Sequence, residues 1–244
     1  IILIKSKLNP TFNIISGKNS DNTKLQSFKK VFSHQFDYDI YLSKKYKKNK
    51  TLDKYAIFLD EFVPFHPDNI GRDVDCTVEN YFDDLNLFFK EIEKEFNLKV
   101  IIAGHPRSNY DKKNPFQNRQ IINNKTDELI YSSSLVLTHA STANNFSVIF
   151  NKPIIFIKSS KYSDYYISTI NAFAKELNCY PIDISRKYML TEKLLNIDLK
   201  AYSNYFKNYI KHPESEEYNS WQILINFINK EFWKVHFIAG IYQN

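Results

Sequence analysis

The chain has 244 residues, 43% of them hydrophobic and 25% charged, with a net charge of +6, and these proportions exclude a collagen-like or low-complexity protein. Because no apolar run reaches about 18 residues, the sequence predicts no membrane-spanning helix. Cys76 and Cys179 lack zinc-type spacing, which predicts free thiols in a reducing compartment.

Residues 1–51 predict a remnant of a preceding domain followed by a basic linker. His34 stands with Asp37 and Asp39 in a polar segment that predicts a surface loop. The run Lys44–Lys50 has a charge that suits nucleic acid or an anionic membrane, but its place before the first clear strand favours a solvated linker. Since the sequence begins without Met and shows no signal-peptide pattern, we expect further chain before it.

Residues 52–244 predict one Rossmann-like α/β domain, a doubly wound parallel sheet with a helical tail. Its short Val/Ile/Leu-rich runs are typical of parallel strands that helices cover on both faces. The predicted strands are Tyr55–Leu59, Lys99–Ala103, Gln120–Ile122, Leu135–Thr138, Ile154–Ile157 and Tyr180–Ile184. The predicted helices are Val78–Phe96, Asp127–Ser132, Thr142–Phe150 and Tyr165–Leu177, followed by two or three helices between Leu190 and Trp233. Thr77 is the predicted cap of the first helix, and Asn124 or Thr126 of the second.

The Ser141-Thr142 pair stands between a buried strand and a predicted helix. Ligands of open α/β sheets bind beyond the carboxyl ends of the strands. Free backbone N–H groups at such a turn, together with hydroxyl groups, hold phosphate. The pair therefore predicts a phosphate site, although Ser141 also suits a plain helix cap. His139 and Asn144 flank the turn and suit either the pocket wall or a core or capping role.

His105-Pro106-Arg107 follows the neighbouring strand. An imidazole can hydrogen-bond a phosphate or protonate a leaving phosphate oxygen near neutral pH. Arg107 offers a planar fork of donors to phosphate or carboxylate, and Pro106 stiffens the turn. These residues predict a second part of the same anion site.

Asp60-Glu61 ends the first strand of the domain. A carboxylate there can act as general base on an acceptor hydroxyl, bind a sugar or cap the next helix. A metal site that adds His66 and Asp68 matches no specific ligand spacing, so we expect no bound metal. The sequence has no nucleophile elbow, HExxH, P-loop or GxGxxG motif, which argues against the enzyme classes that those motifs mark.

These residues resemble the C-terminal half of a GT-B glycosyltransferase, and more narrowly the bacterial sialyltransferase, polysialyltransferase and Kdo-transferase group that uses CMP-activated sugars. His105-Pro106 matches the His-Pro motif of that group, and Ser141-Thr142 matches its Ser-Ser or Ser-Thr motif. Asp60-Glu61-Phe62 partly matches its Asp/Glu-Asp/Glu-Gly motif, with Phe in place of Gly. The resemblance covers residues 55–160.

The resemblance implies that the histidine and the Ser-Thr turn hold the nucleotide phosphate while an acidic residue acts as base. Since that acidic motif usually lies in the N-terminal domain of the group, Asp37 and Asp39 are reserve candidates for the base. The implied activity is metal-independent transfer of a sugar from a nucleotide donor, CMP-linked sialic acid or Kdo included, to a glycan or lipid-linked acceptor. The implied setting is bacterial capsule or lipopolysaccharide assembly in the cytoplasm, with peripheral attachment to the inner membrane face.

Other functions stay open at this point. A sugar-nucleotide epimerase of the UDP-GlcNAc 2-epimerase type has a similar two-domain fold and would prefer UDP. A non-catalytic module that binds a nucleotide sugar, or assembles with a partner, would lack its own base. A nucleic-acid binder is least favoured, because the lysines are scattered and no aromatic-basic reader motif is present.

Overall fold

The computed structural model describes residues 12–21, 29–46, 54–65, 76–110 and 113–241, with side chains up to residue 231. The chain forms two compact units, Tyr46–Ser203 on the one hand, and Ile1–Lys45 with Asn204–Asn244 on the other. Residues 47–50 of the basic run, and His66 and Asp68 of the weighed metal site, lie outside the described residues.

Strands and helices are numbered in chain order. The strands are β1 Asn13–Ile15, β2 Lys30–Phe32, β3 Tyr55–Leu59, β4 Lys99–Ala103, β5 Ile121–Ile122, β6 Leu135–Thr138, β7 Ile154–Lys158 and β8 Ile182–Asp183. The α-helices are α1 Phe36–Ser43, α2 Val78–Phe96, α3 Thr126–Ser132, α4 Asn144–Ile149, α5 Asp164–Glu176, α6 Leu199–Tyr205 and α7 Ser220–Ile241. None of the helices in the described part of the chain is long and apolar enough to cross a membrane.

The unit Tyr46–Ser203 is built on a six-stranded sheet in the order β5-β4-β3-β6-β7-β8. All neighbouring strands run parallel. Counted from its first strand in the chain, this order is 3-2-1-4-5-6, which is the order of the Rossmann fold. The direction of winding reverses between β3 and β6. The predicted fold class is therefore confirmed.

Apolar side chains set this arrangement, as the sequence predicted. All five residues of β3 are buried, and β6 is buried throughout, because helices cover both faces of the sheet. Helix α2 turns one apolar face to the sheet, with Tyr81, Leu85, Phe88, Phe89 and Ile92 buried. Thr77 caps it as predicted, since its hydroxyl accepts a hydrogen bond from the Asn80 N–H at 3.2 Å.

Two helix starts differ from their predictions. Helix α3 begins after Lys125 without a side-chain cap, so neither Asn124 nor Thr126 has the predicted capping role. Helix α4 begins at Asn144, two residues later than predicted. Its first N–H groups bond three residues back, from Asn144 to the Ser141 carbonyl and from Asn145 to the Thr142 carbonyl, both at 3.1 Å. Residues 141–143 therefore form a tight turn, in which the bonding differs from that of an α-helix.

The second unit joins the N-terminal strands to the C-terminal helices. The sequence placed residues 204–244 with the sheet of 52–244, whereas the structure groups them with residues 1–45. His34 and Lys211 form an antiparallel bridge. The carbonyl of Ile210 accepts from the Gln35 N–H at 2.8 Å. Gly17 lies so close to the Asn208 carbonyl that a Cβ could not fit there.

The polar segment around His34 is not the predicted surface loop. His34 is 4% exposed and its Nε2 donates to the Tyr218 carbonyl at 2.8 Å. The next residues form α1, and Asp39 on this helix accepts from the Ser220 N–H at 2.7 Å, where α7 begins. The carboxylate satisfies a backbone donor that the start of a helix leaves free, so burial and capping account for these residues.

Arg119 fastens the segment before β5 to helix α2. Its Nε and Nη2 each donate to the Glu93 carboxylate at 2.8 Å, and Nη1 donates to the side chain of Asn86 at 3.0 Å. The guanidinium group also lies over the Phe89 ring, 5.3 Å from its centroid. Only 9% of the Arg119 side chain is exposed, so these bonds are little weakened by water.

We predict that Arg119→Ala lowers the free energy of unfolding by about 2–3 kcal/mol, because it leaves Glu93 and Asn86 without their shared donor. Urea unfolding followed by circular dichroism measures the loss. The matched control is Arg186→Ala, since that side chain is 73% exposed and pairs with Asp183 at 3.4 Å. The control should change the free energy by less than about 0.5 kcal/mol. Equal losses in both variants would contradict this account of the Arg119 contacts.

Candidate functional site

A cavity of about 530 Å³ opens at the carboxyl ends of β3, β4 and β6. It lies where the winding of the sheet reverses, which is the usual ligand site of open α/β sheets. Its size falls within the range of small-molecule sites, roughly 300–1,000 Å³. The residues that line it are Leu59, Asp60, Glu61, Val63, Ala103, Gly104, His105, Pro106, Thr126, Ala140, Ser141, Thr142, Ala143, Tyr165, Tyr166 and Thr169.

The structure brings most of the predicted site residues into this one cavity. The acidic pair, the His-Pro pair and the Ser-Thr pair all belong to its lining. Arg107, His139 and Asn144 do not. Arg107 is exposed beside the lining residue Pro106.

Asp60 is directed toward the β4 side of the cavity. Its Oδ2 accepts from the His105 N–H at 3.2 Å and from the Tyr110 hydroxyl at 2.9 Å. Its Oδ1 accepts from the Phe62 N–H at 3.0 Å. Burial raises the pKa of this carboxyl group, and the three hydrogen bonds oppose that rise. Asp60 thus holds the loop after β4 in place while it borders the cavity.

Glu61 is directed toward the β6 side. Its Oε1 accepts from the N–H groups of His139 and Ala140 at 3.1 and 2.7 Å, and its Oε2 accepts from the Tyr166 hydroxyl at 2.9 Å. Burial raises the pKa of Glu61 to about 7, although these donors and the neighbouring Asp60 also act on it. Its carboxyl group therefore exchanges a proton near neutral pH, which suits acid–base chemistry.

The chain turns at Phe62, directly after the two carboxylates. Its φ of 53° lies in the left-handed region, which glycine adopts most readily. The hydrogen bond from its N–H to the Asp60 side chain, two residues back, stabilises the turn. The His105 ring stacks on the Phe62 ring, with 6.0 Å between centroids and 7° between planes.

The His105 ring lies on the β4 side of the cavity, after the end of that strand. Its Nδ1 accepts from the Arg107 N–H at 3.1 Å, so the neutral ring carries its proton on Nε2. The backbone N–H of His105 is held by Asp60. A Cβ at Gly104, the residue before it, would meet the end of the Asn123 side chain, which would have to move aside.

The turn after β6 offers donors to a ligand. The N–H groups of His139 and Ala140 bond to Glu61. Those of Ser141 and Thr142 come next in the chain and bond to no other described residue. The Ser141 hydroxyl accepts from the Ala143 N–H at 3.3 Å and keeps its own proton to donate. This turn can therefore bind an anion through main-chain and hydroxyl donors.

His139 and Asn144 have their side chains in the core. Both residues are 0% exposed. The His139 Nδ1 donates to the Ile157 carbonyl at 2.8 Å and Nε2 accepts from the Tyr81 hydroxyl at 3.1 Å. Burial lowers the pKa of His139 to about 4, so its ring stays neutral near pH 7. Both side chains are enclosed, and neither belongs to the lining of the cavity.

Two tyrosines that contact the acidic pair were not predicted from the sequence. The hydroxyl group of Tyr110 bonds to Asp60, and that of Tyr166 bonds to Glu61. Both are distant in sequence from the carboxylates that they contact, and neither lies in a recognisable motif. The chain has 17 tyrosines, so composition could not single these two out.

The lining of the cavity contains two carboxylates and one imidazole but no lysine or arginine among the described residues. The described residues also contain no group of three or more His, Cys, Asp or Glu side chains that could hold a metal ion. An anionic ligand would therefore rely on main-chain N–H groups, hydroxyl groups and the imidazole.

No family model matches the chain, and no curated protein matches its sequence. Solved structures that resemble it include a glycotransferase of kitacinnamycin, with 8% identity, a TM-score of 0.33, and coverage of 66% of this chain and 36% of that chain. Glycosyltransferase SnogD from Streptomyces nogalater has 9% identity, a TM-score of 0.38 and coverage of 68% and 45%. A UDP-GlcNAc 2-epimerase from Methanocaldococcus jannaschii, in complex with UDP-GlcNAc and UDP, has 16% identity, a TM-score of 0.39 and coverage of 80% and 49%.

The chain thus spans less than half the length of each of these structures. At such identities the likeness concerns the fold alone. What the chain's own residues define is a Rossmann-order α/β unit with an acidic cavity at the reversal point of its sheet.

The raised pKa of Glu61 predicts a pH-dependent stability difference. The ordinary value is 4.5 and the folded value about 7, so between these pH values the folded protein keeps a proton that the unfolded chain releases. The contribution of Glu61 to stability is therefore lost as the pH rises through this window. We expect Glu61→Gln to match the wild type near pH 4.5 and to be more stable above pH 7, by about 1–3 kcal/mol.

Thermal and urea unfolding across this pH range measure the difference, in which the titration of groups that do not interact with Glu61 cancels. Glu79→Gln is the matched control for the same substitution at an exposed position, because Glu79 lies in the first turn of α2. A Glu61→Gln difference that stays constant from acid to neutral pH would refute the raised pKa.

Proposed function

We propose that the chain is the nucleotide-sugar-binding half of a glycosyltransferase. The observation that carries the proposal is the single cavity at the reversal point of the sheet. Three strand ends bring an acidic pair, an imidazole and a turn with free main-chain donors into it. Transfer of a sugar from a phosphate needs these groups: donors for the departing phosphate and a base for the incoming hydroxyl.

In this proposal the donor phosphate binds at the turn of Ser141 and Thr142. The acceptor oxygen bonds to the anomeric carbon as the bond from that carbon to the phosphate oxygen breaks. The phosphate leaves with the electron pair of the broken bond, and His105 hydrogen-bonds it or gives it a proton. A carboxylate of the Asp60–Glu61 pair takes the proton of the acceptor hydroxyl.

The finer assignment rests on the sequence resemblance. The His105-Pro106 and Ser141-Thr142 pairs, both in the cavity lining, support a CMP-linked donor of the sialic acid or Kdo type. Such donors belong to bacterial surface-polysaccharide assembly, on a glycan or lipid-linked acceptor, with no metal and with peripheral attachment to the inner membrane face. The left-handed backbone of Phe62, where the resembled motif has Gly, adds support for the acidic motif.

A UDP-sugar epimerase is the second candidate. Two neighbouring carboxylates and an imidazole in one cavity also suit removal and return of a proton on a bound sugar. This enzyme would prefer UDP to CMP and would need no acceptor.

We predict that the purified chain binds CMP with a micromolar Kd, and more tightly than UDP or GDP. Isothermal titration calorimetry measures the three affinities. Ser141→Ala should weaken binding about tenfold and His105→Ala at least tenfold, since each removes a hydrogen bond to a charged group. UDP preference would favour the epimerase instead.

Ser160→Ala is the matched control for the serine. Ser160 is exposed after β7, bonds to the Ser185 hydroxyl at 2.8 Å and lies outside the cavity lining, so its loss should change the Kd by less than about twofold. Nucleotide binding that survives in both cavity variants would sink the proposed donor site.

A further inference from the structure

An anion in this cavity would lie close to negative charge. Asp60 and Glu61 both border the cavity, and the described lining contains no lysine or arginine to offset them. Like charges repel strongly where protein replaces water around them. The way in which the cavity tolerates an anionic ligand therefore needs an explanation.

Glu61 already holds half of the donors that an anion would use. Its Oε1 accepts from the N–H groups of His139 and Ala140, and the free N–H groups of Ser141 and Thr142 follow directly. Consecutive Cα atoms are about 3.8 Å apart. An anion on the second pair of donors therefore lies beside the carboxyl group on the first pair.

We propose that Glu61 takes up one proton from solvent when an anionic ligand binds at the turn of Ser141 and Thr142. This inference rests on the proposed function, because it takes the ligand to be a nucleotide phosphate. In this proposal the cavity binds the anion tightly only when the Glu61 carboxyl group is protonated.

The groups that face Glu61 are neutral, so none of them is the site that takes up the proton. From α2 and α5, Tyr81 and Tyr166 present hydroxyl groups whose pKa burial raises well above the ordinary value, so they stay neutral. The same holds for Tyr162, which precedes α5. In the turn after β6, the ring of His139 is neutral and enclosed. No cation is among these groups.

Asp60 and His105 are the remaining titratable groups in the lining. Asp60 has three hydrogen-bond donors fixed on its two oxygens, all on the side of β4 and Phe62, whereas Glu61 touches the turn itself. Burial already raises the pKa of Glu61 to about 7, so its protonation requires little free energy near neutral pH. A proton on His105 is the rival, and a variant separates the two.

Neutral Glu61 keeps its place and gains a function. Its Oε1 can still accept from both N–H groups, while its new O–H can donate to an oxygen of the bound phosphate. Because a protonated carboxyl cannot act as a base, the removal of the acceptor proton falls to Asp60. The two carboxylates then serve opposite partners in the reaction.

Calorimetry on the full chain tests the proposal with UDP-glucose and CMP-sialic acid, whose phosphate groups do not titrate near neutral pH. Binding to the wild type should weaken about tenfold between roughly pH 6 and pH 8, as linkage to one group near pH 7 requires. Titrations in two buffers of different ionisation enthalpy should show uptake of nearly one proton per ligand at the higher pH.

Glu61→Gln should bind at every pH as tightly as the wild type does at low pH, with no proton uptake. Glu79→Gln is the control and should behave as the wild type. His105→Asn, with weaker binding overall, should keep the pH dependence. Loss of the dependence in His105→Asn but not in Glu61→Gln would overturn the assignment to Glu61. Thermal unfolding of each variant shows that the fold is intact.

Two other results separate this inference from the proposed function. Wild-type binding that is equally tight at low and high pH would refute proton uptake by Glu61 and leave the donor site standing. Failure of every nucleotide probe to bind the wild type at any pH would refute the donor site, and the inference would fall with it.

Discussion

The position of β3 is the constraint on which the site depends. This strand pairs with β4 on one side and with β6 on the other, and the winding of the sheet reverses beside it. Its residues are all buried, so the register of the strand is fixed by packing on both faces. Asp60 and Glu61 directly follow β3. They therefore lie between the carboxyl ends of β4 and β6.

Rigid placement of two carboxylates has a cost, because burial disfavours their charged forms. Hydrogen bonds from Phe62, His105 and Tyr110 offset part of this cost for Asp60, and donors from α5 and the turn after β6 do so for Glu61. The charge of the whole chain is +6, yet the cavity is acidic. Lysines spread over a surface say little about the sign of a particular pocket, since screening limits their reach to about 10 Å.

Sequence patterns predicted the sheet well because burial on both faces leaves few choices. The buried runs at β3, β4 and β6 have the bounds that the sequence predicted. The patterns failed where long-range contacts decide, as at His34, which reads as a polar loop but is buried against Tyr218. At the start of α4, the sequence offered Ser141 as a cap, and only the turn geometry shows that the helix begins later, at Asn144.

Within the site, too, sequence patterns predict some features and long-range contacts decide others. The polar clusters after buried strands could be recognised from sequence, because a parallel sheet places strand ends side by side. Which member of each cluster points into the cavity could not, since that depends on the backbone after the strand ends. His139 and Ser141 lie two residues apart, yet one is a core side chain and the other lines the cavity.

Asp60 and Glu61 show how one strand end can serve two functions. Asp60 accepts from the N–H of His105 after β4, and Glu61 accepts from the N–H of Ala140 after β6. Asp60 thereby contacts the loop that carries His105, whereas Glu61 contacts the turn that carries the free N–H groups. One carboxylate is thus tied to the imidazole side of the cavity and the other to its anion side. The proposed difference in their protonation rests on these different partners.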